Sequence, residues 1–278
     1  MTHKMGKNVN KSPRTERMPA LFIGHGSPMN VILENDFTES LRNLGKSLPQ
    51  PEAIMVVSAH WLTDGTYVTC MEKPRTIHDF GGFPEELYEM KYPSPGAPQY
   101  AKPLEKSVKT VQVKCNSDWG LDHASWTVLH HMYPKADIPV FEMSLNYSFN
   151  EWHPRPLQYY YNIGKELAEL RERGVLIIGS GNIVHNLGII DFRNIDAAPY
   201  DWAVEFDEKV KRNLIDGNHE KLINYNSMGR SAHMAVPTLD HYLPLIYVIA
   251  LQEKDEPLTF TYEGFHYASI SMRCLKIG

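Results

Sequence analysis

The stretch "PALFIGHGSPMN" (residues 19–30) ends an apolar run at His25, which lies between two glycines. The run itself is short and contains β-branched residues, as is typical of a buried parallel strand. A second run of this kind, "EAIMVVSAH" (52–60), follows, and between the two "DFTESLRNLGKSL" (36–48) has helical spacing with Asp36 as a possible N-cap. The three segments predict a strand–helix–strand unit and therefore a parallel sheet.

The rest of the chain continues the alternation of strands and helices. Further strands are predicted at 67–72, 110–115, 138–145 and 175–180, and helices at 98–109, 125–133, 155–173, 201–217 and 240–252. The tail predicts two closing strands joined at Glu263-Gly264. No repeat or linker divides residues 18–278, so we expect a single α/β domain with a mostly parallel central sheet flanked by helices. Residues 1–17 are polar and predict a flexible N-terminal arm.

Composition excludes several classes of protein. The 278 residues include 33 acidic and 28 basic side chains, and the net charge of −5 gives no electrostatic reason to expect nucleic acid as a partner. No apolar run approaches the roughly 20 residues that a membrane helix needs. Cys70, Cys115 and Cys274 lie far apart without a CxxC pair, which argues against a disulfide framework and for a reducing, cytoplasmic location. The sequence does not determine the oligomeric state.

Histidines cluster at predicted strand ends. The chain has 13 of them; His25 follows the first strand, His60 ends the second, and His185 follows the strand "VLIIGSGN". Ligands of open α/β sheets bind beyond the carboxyl ends of parallel strands, and His241 opens the late apolar helix, another rigid position. Each histidine alone is explained as a hydrogen-bonded supporting residue, but together they predict one metal site, for which imidazole suits Zn, Fe, Cu or Ni.

Two further stretches point to a pocket. The segment "TIHDFGGFPEELYEMKYPSPG" (76–96) is dense in glycine, proline and aromatic residues, which suits an ordered loop over a pocket. The segment "DWGLDHASW" (118–126) places His123 between Asp122 and a predicted helix start, where a histidine beside a carboxylate suits acid–base chemistry. The alternative is that Asp122 only caps the helix.

Taken in order, these motifs resemble a known family. The chain shares its pattern with the class III extradiol ring-cleavage dioxygenases, and within them with the DOPA 4,5-dioxygenase-like proteins of bacteria and plants, through "GHGSPMN", "SAHW", "HDFGGFP", "LDHASW", "GSGNIVHNL" and "PTLDHYLPLIY". The resemblance runs from about Met18 to the C-terminus. It implies an α/β catalytic domain over residues 18–278 with one mononuclear non-haem metal site.

The resemblance also implies roles for particular histidines. His25 in GHGSP and His60 in SAHW match metal ligands, and His241 in LDHYLP matches the third. Neighbouring Asp240 is an alternative third ligand, because the wider class uses two histidines and one carboxylate, the set associated with Fe(II). His185 in NIVH matches a residue that serves as an acid–base group or as a fourth ligand.

Two other positions complete the implied site. His123 matches a second active-site histidine, and His78 in the HDF loop is a substrate-pocket candidate. One divalent ion is expected, Fe(II) for catalysis, while an all-histidine site also suits Zn(II).

The implied reaction joins O₂ and a small catechol such as DOPA and opens the ring to a muconic semialdehyde of the 4,5-seco-DOPA type. Two alternatives remain. One is a zinc-dependent hydrolase, which the lack of an HExxH arrangement disfavours, and the other is a non-catalytic metal-binding protein.

Overall fold

The computed structural model describes residues 17–147 and 155–278. The predicted N-terminal arm therefore lies outside the described residues except for Arg17. The guanidinium group of Arg17 lies 3.1 Å from the carboxylate of Glu172 and 2.6 Å from that of Glu253. The last residue of the predicted arm is thus tied to the folded domain.

One large sheet organises the described residues. These contain ten strands: β1 (Ala20–Gly24), β2 (Ala53–Thr63), β3 (Thr66–Thr69), β4 (Val113–Asn116), β5 (Val140–Asn146), β6 (Val175–Gly181), β7 (Leu258–Tyr262), β8 (Phe265–His266), β9 (Ile270–Ser271) and β10 (Cys274–Ile277). Eight of them form a sheet in the order β4-β3-β5-β2-β6-β1-β10-β7, and β8 pairs with β9 separately. The central strands β5, β2, β6 and β1 are mutually parallel, whereas β10 and β7 close one side antiparallel.

Helices cover both faces of the sheet. In the described residues they are α1 (Asp36–Ser47), α2 (Glu85–Glu89), α3 (Pro98–Ala101), α4 (Leu104–Ser107), α5 (His123–Met132), α6 (Leu157–Glu166), α7 (Ala168–Glu172), α8 (Asp201–Ile215), α9 (His219–Ile223), α10 (Arg230–Ala235) and α11 (Leu243–Ile249), with 3₁₀ turns at Pro28–Val31, Leu187–Ile189 and Tyr225–Met228. Consecutive residues of β1 pack into two different hydrophobic cores, one on each face of the sheet. Phe22 belongs to the core that includes α6 and α11, and Ile23 belongs to the core that includes α1 and α5. The predicted α/β fold is confirmed.

Several local predictions were wrong in detail. The tail is not one hairpin at Glu263-Gly264: β7 pairs with β10, and the short β8–β9 pair lies between them in the chain. The predicted helix at 98–109 is interrupted at Pro103, which separates α3 from α4, because proline cannot continue the hydrogen-bond pattern. Helix α1 is capped by Asn35, whose side chain accepts a hydrogen bond from Thr38 N–H at 3.0 Å, and not by Asp36.

The cysteine expectation was also wrong. Cys70 and Cys115 form a disulfide at the β3–β4 edge of the sheet, and Cys274 is buried as a free thiol. Parallel pairing of β3 with β4 brings the two cysteines together, although 45 positions separate them in the chain. Among the described residues, no helix combines the length and the apolar character that crossing a bilayer requires.

Candidate metal centre

His25 lies directly beyond the carboxyl end of β1 and is almost fully buried. Its backbone is held on both sides, since its N–H donates to Gly181 O at 3.1 Å and its carbonyl accepts from Asn30 Nδ2 at 3.0 Å. Its Nδ1 lies 3.1 Å from Ser180 Oγ, and that hydroxyl donates its own hydrogen to Ala124 O at 2.7 Å. His25 Nδ1 therefore carries the proton and Nε2 keeps its lone pair for a metal.

His60 projects from a bulge in β2. The register with β5 passes from Val57↔Met143 to Leu62↔Leu145, so four residues of β2 lie opposite a single residue of β5. A bulge of this kind re-aims a side chain at a sheet edge. The backbone N–H of His60 donates to Ser58 Oγ at 3.1 Å, and its Nε2 lies 3.2 Å from Nε2 of His25.

His241 lies close to the end of β6, because its backbone carbonyl contacts Gly181. A Cβ at Gly181 would lie 2.2 Å from the carbonyl oxygen of His241, so only glycine fits at the end of β6. Asn182 N–H then donates to that carbonyl at 2.9 Å. Helix α11 begins at Leu243, so His241 lies in the turn before it and does not open the helix as predicted.

The rings of His25, His60 and His241 bring their nitrogen atoms close together. One ring nitrogen from each of His25, His60 and His241 lies within 4.8 Å of the others. Nδ1 of His241 lies 2.6 Å from Asp240 Oδ2, while its Nε2 is buried and has no hydrogen-bond partner. His60 Nδ1 lies 3.6 Å from Asp79 Oδ2. Each Nδ1 thus faces an oxygen and each Nε2 is left for a common ion, the arrangement of metal-binding histidines.

The charge distribution favours a cation. Burial, together with the neighbouring histidines, lowers the pKa of His25 and His60 well below the usual value, so both rings are neutral, the form that binds metals. Burial opposes the ionisation of Asp240 and Asp79. Hydrogen bonds from His241 and His123 outweigh it and lower the pKa of each carboxyl group. Two carboxylates therefore lie in the same cluster as the neutral rings of His25 and His60.

His185 lies beside this group. Its ring stacks on that of His241 with a centroid distance of 3.5 Å and 5° between the planes. Burial lowers the pKa of His185 well below its usual value, and nearby His241 makes the next largest contribution in the same direction. The structure thus gathers three of the four predicted ligands around one point and stacks the fourth against one of them. A ligand role for His185 stays a prediction.

His123 pairs with a carboxylate that the sequence analysis did not select. Asp79 accepts from the backbone N–H of His123 at 2.9 Å and lies 2.9 Å from its Nδ1. Asp122 stands at the N-cap position of α5 but makes no capping bond, and its Oδ2 accepts from Ser58 Oγ at 2.6 Å instead. Asp79 lies in the quoted HDFGGFP motif. Only the contact between that loop and α5 reveals its role.

His78 does not face the three histidines. Its Nε2 lies 3.0 Å from Met90 O, and its ring contacts Phe80 and Trp126. Phe80 in turn packs edge-on against His123, with ring centroids 5.7 Å apart. His78 therefore lies one aromatic layer away from the candidate acid–base histidine, and direct contact with substrate stays a prediction.

The chain matches one family over most of its length. The family described as the catalytic LigB subunit of aromatic ring-opening dioxygenase matches residues 19–272. The protein named 4,5-DOPA dioxygenase extradiol from Escherichia coli K12 is 46% identical over 266 residues, which cover 94% of this chain and 95% of that protein. The protein of the same name from Beta vulgaris is 37% identical over 236 residues, covering 81% and 83%.

A solved structure shares the fold. The crystal structure of an uncharacterized protein from Escherichia coli K12 superposes with a TM-score of 0.80 at 41% sequence identity and covers 94% of this chain and 100% of that chain. The similarity therefore extends over nearly the whole chain.

Proposed function

This chain belongs to the LigB family of class III extradiol dioxygenases, and from that premise we propose that it opens the ring of a small catechol such as DOPA at one divalent metal ion. The family establishes a ring-cleaving dioxygenase. The observation that carries the finer proposal is the convergence of three histidine nitrogens beside the His123–Asp79 pair. The product is a muconic semialdehyde of the 4,5-seco-DOPA type.

His25, His60 and His241 hold the ion in this proposal. Three observations fit a metal: the Nε2 atoms of His25 and His60 converge to 3.2 Å, each Nδ1 faces an oxygen, and the Nε2 of His241 is buried without a hydrogen-bond partner. The ion, when bound, draws the catechol oxygens and O₂ together and lets electrons pass between them, which Fe(II) supports and Zn(II), without redox chemistry, does not. Asp240 orients His241 in this arrangement, and we do not assign it as a ligand.

His123 and His185 are the proposed acid–base groups. The carboxylate of Asp79 holds the proton of His123 on Nδ1, so Nε2 of that ring is available to accept a proton from a catechol hydroxyl and return it. The ring centroid of His123 lies 4.0 Å from that of His60, which keeps it close to any substrate bound at the ion. His185 is neutral and is the second group able to accept a proton.

Substrate would be recognised partly by aromatic packing. Phe80, between His78 and His123, presents an aromatic surface next to the proposed acid–base group. A planar catechol ring packs well on such a surface. In this proposal His78 contributes by fixing Phe80 and the loop around it. The names of the bacterial and plant relatives support DOPA as the first catechol to test.

Reconstitution tests the proposal. Metal-free protein is loaded in the absence of air with Fe(II) or with Zn(II), DOPA or another catechol is added, and O₂ is admitted. We expect O₂ uptake and a yellow ring-fission product with Fe(II) alone. The variant His241→Ala should lose both, whereas His233→Ala, which changes an exposed histidine, should lose neither. Ester or amide hydrolysis with Zn(II), without O₂ uptake on any catechol, would overturn the proposal in favour of a zinc hydrolase.

A further inference from the structure

A buried pair of carboxyl groups lies behind His60 and His123, and the proposed reaction does not use it. Asp122 immediately precedes His123 in the chain, and Glu142 belongs to β5. Both residues are completely buried. Burying a carboxyl group is costly unless hydrogen bonds compensate, so the partners of this pair indicate what it does.

Glu142 holds the start of α5. Its Oε1 accepts from the backbone N–H of Asp122 at 2.8 Å and from the hydroxyl of Ser125. Its Oε2 accepts from Trp119 Nε1 at 3.0 Å. The side chain of Glu142 thus anchors the backbone of Asp122 and the hydroxyl of Ser125 at the start of α5, and it fixes the turn from which His123 projects.

Asp122 holds the bulge of β2. Its Oδ2 accepts from Ser58 Oγ at 2.6 Å, and the same hydroxyl oxygen accepts the backbone N–H of His60 at 3.1 Å. A chain of two hydrogen bonds therefore links the Asp122 carboxylate to the backbone of a proposed metal ligand. One carboxyl pair is in this way connected to both His60 and His123.

Burial disfavours negative charge on both carboxyl groups. It raises the pKa of Glu142 well above its usual value, with nearby Asp122 adding to the effect. It also raises the pKa of Asp122, to about 6, with Asp79 adding to the effect. Asp79 and His123 are the other titratable groups that act on Asp122, and His123 opposes the increase.

We infer that Asp122 and Glu142 act as a positioning pair that fixes the separation of His60 and His123. The inference rests on the proposed function for the roles of these two histidines. Through Ser58 the pair sets the bulge that aims His60, and through the start of α5 it sets His123. The distance between His60, the proposed metal ligand, and His123, the proposed acid–base group, is thereby held constant.

Positioning is measured by zinc affinity and by the imidazole NMR signals of His60 and His123, which need neither catechol nor O₂ and are independent of whether ring cleavage is observed. Glu142→Gln keeps an oxygen that accepts from the Asp122 N–H and the Ser125 hydroxyl but loses the acceptor for Trp119 Nε1. Its zinc affinity should therefore fall less than that of Glu142→Leu, which should fall about 10-fold, as loss of outer-shell support does. Equal affinities for the two variants would contradict the inference.

Ser58→Ala provides the second test, should Glu142→Leu not fold. It removes the link between Asp122 and the backbone of His60, so zinc affinity should fall about 10-fold and the imidazole NMR signal of His60 should shift. Ser231→Ala, at a buried serine that bonds Lys209 and Glu205 elsewhere, is the matched control and should change neither. Unchanged zinc affinity in Ser58→Ala would refute the positioning role, even if catechol cleavage were normal.

Discussion

The imidazole rings of His185 and His241 lie parallel, 3.5 Å apart, yet only His241 offers a nitrogen to the group of three. The family pattern leaves two roles open for His185, acid–base group or fourth metal ligand, and this stacking favours the first. A ring that lies flat against a ligand is well placed to receive a proton from a substrate at the same ion.

His185→Ala should therefore lower turnover while metal stays bound. We expect a loss of about 10²–10⁴-fold in turnover, the contribution of one positioned acid–base group, with zinc affinity retained. His241→Ala should weaken zinc binding by more than the roughly 10–100-fold that loss of an outer-shell partner costs. Chelator competition on both variants checks this, and equal losses of affinity would make His185 a ligand.

Asp79→Asn should damage metal binding and turnover together. The carboxylate faces both His60 and His123, and an amide does not hold either ring in the same tautomer. Zinc affinity should fall about 10-fold and turnover about 10²–10⁴-fold. Asp118→Asn, at an exposed aspartate, is the control and should have no effect. Unchanged zinc affinity and turnover in Asp79→Asn would mean that the contacts of Asp79 with His60 and His123 do not support the site.

Metal-free protein should lose stability in acid. Burial and the neighbouring histidines lower the pKa of His25 and His60 in the folded chain, so below about pH 6.5 the unfolded chain binds more protons. Stability is thus full above that pH and falls as the pH drops, by up to about 1.4 kcal/mol per pH unit for each histidine.

Chemical denaturation at several pH values between 7 and 5 measures this slope. His25→Gln should make it shallower, because one buried titrating group is gone. The exposed His233 offers the comparison, and His233→Gln should leave the slope as it is. The prediction fails if His25→Gln and the unmodified chain have the same slope.

Gly181→Ala should disturb the site through the backbone. The new Cβ would meet the His241 carbonyl oxygen at 2.2 Å, so the turn that carries His241 must move. We expect a loss of about 1–3 kcal/mol in the free energy of unfolding, as for other overpacked sites, together with weaker zinc binding. Gly81→Ala, where a Cβ meets nothing within 4 Å, should leave the free energy of unfolding unchanged. Retained zinc affinity in Gly181→Ala would show that the turn adapts.

The sequence predicted the parts of the site that follow from strand ends. His25 and His60 are brought together because β1, β6 and β2 are parallel neighbours, so the ends of two apolar runs lie at one edge of the sheet. The periodicity of an apolar run is a local signal, and the placement of these two histidines depended on nothing else.

Contacts between distant loops were not predictable in the same way. Nothing in the neighbourhood of Asp79 indicates that it will meet His123, 44 positions later, because that contact depends on how the loop after β3 crosses the sheet edge. The bulge in β2 is equally hidden: "SAHW" reads as a regular strand end until β5 fixes the register. The wrong partner for His123 and the missed disulfide have this common cause.

The disulfide between Cys70 and Cys115 makes the chain that carries Asp79 into a covalent ring. Cys115 lies in the edge strand β4, and Cys70 directly follows the neighbouring strand β3. A protease that cuts once inside it, for example after Lys91, would leave two fragments joined as one molecule until a reductant is added. The carboxylate that faces His60 and His123 is therefore tethered from two directions, and a single broken peptide bond does not set it free.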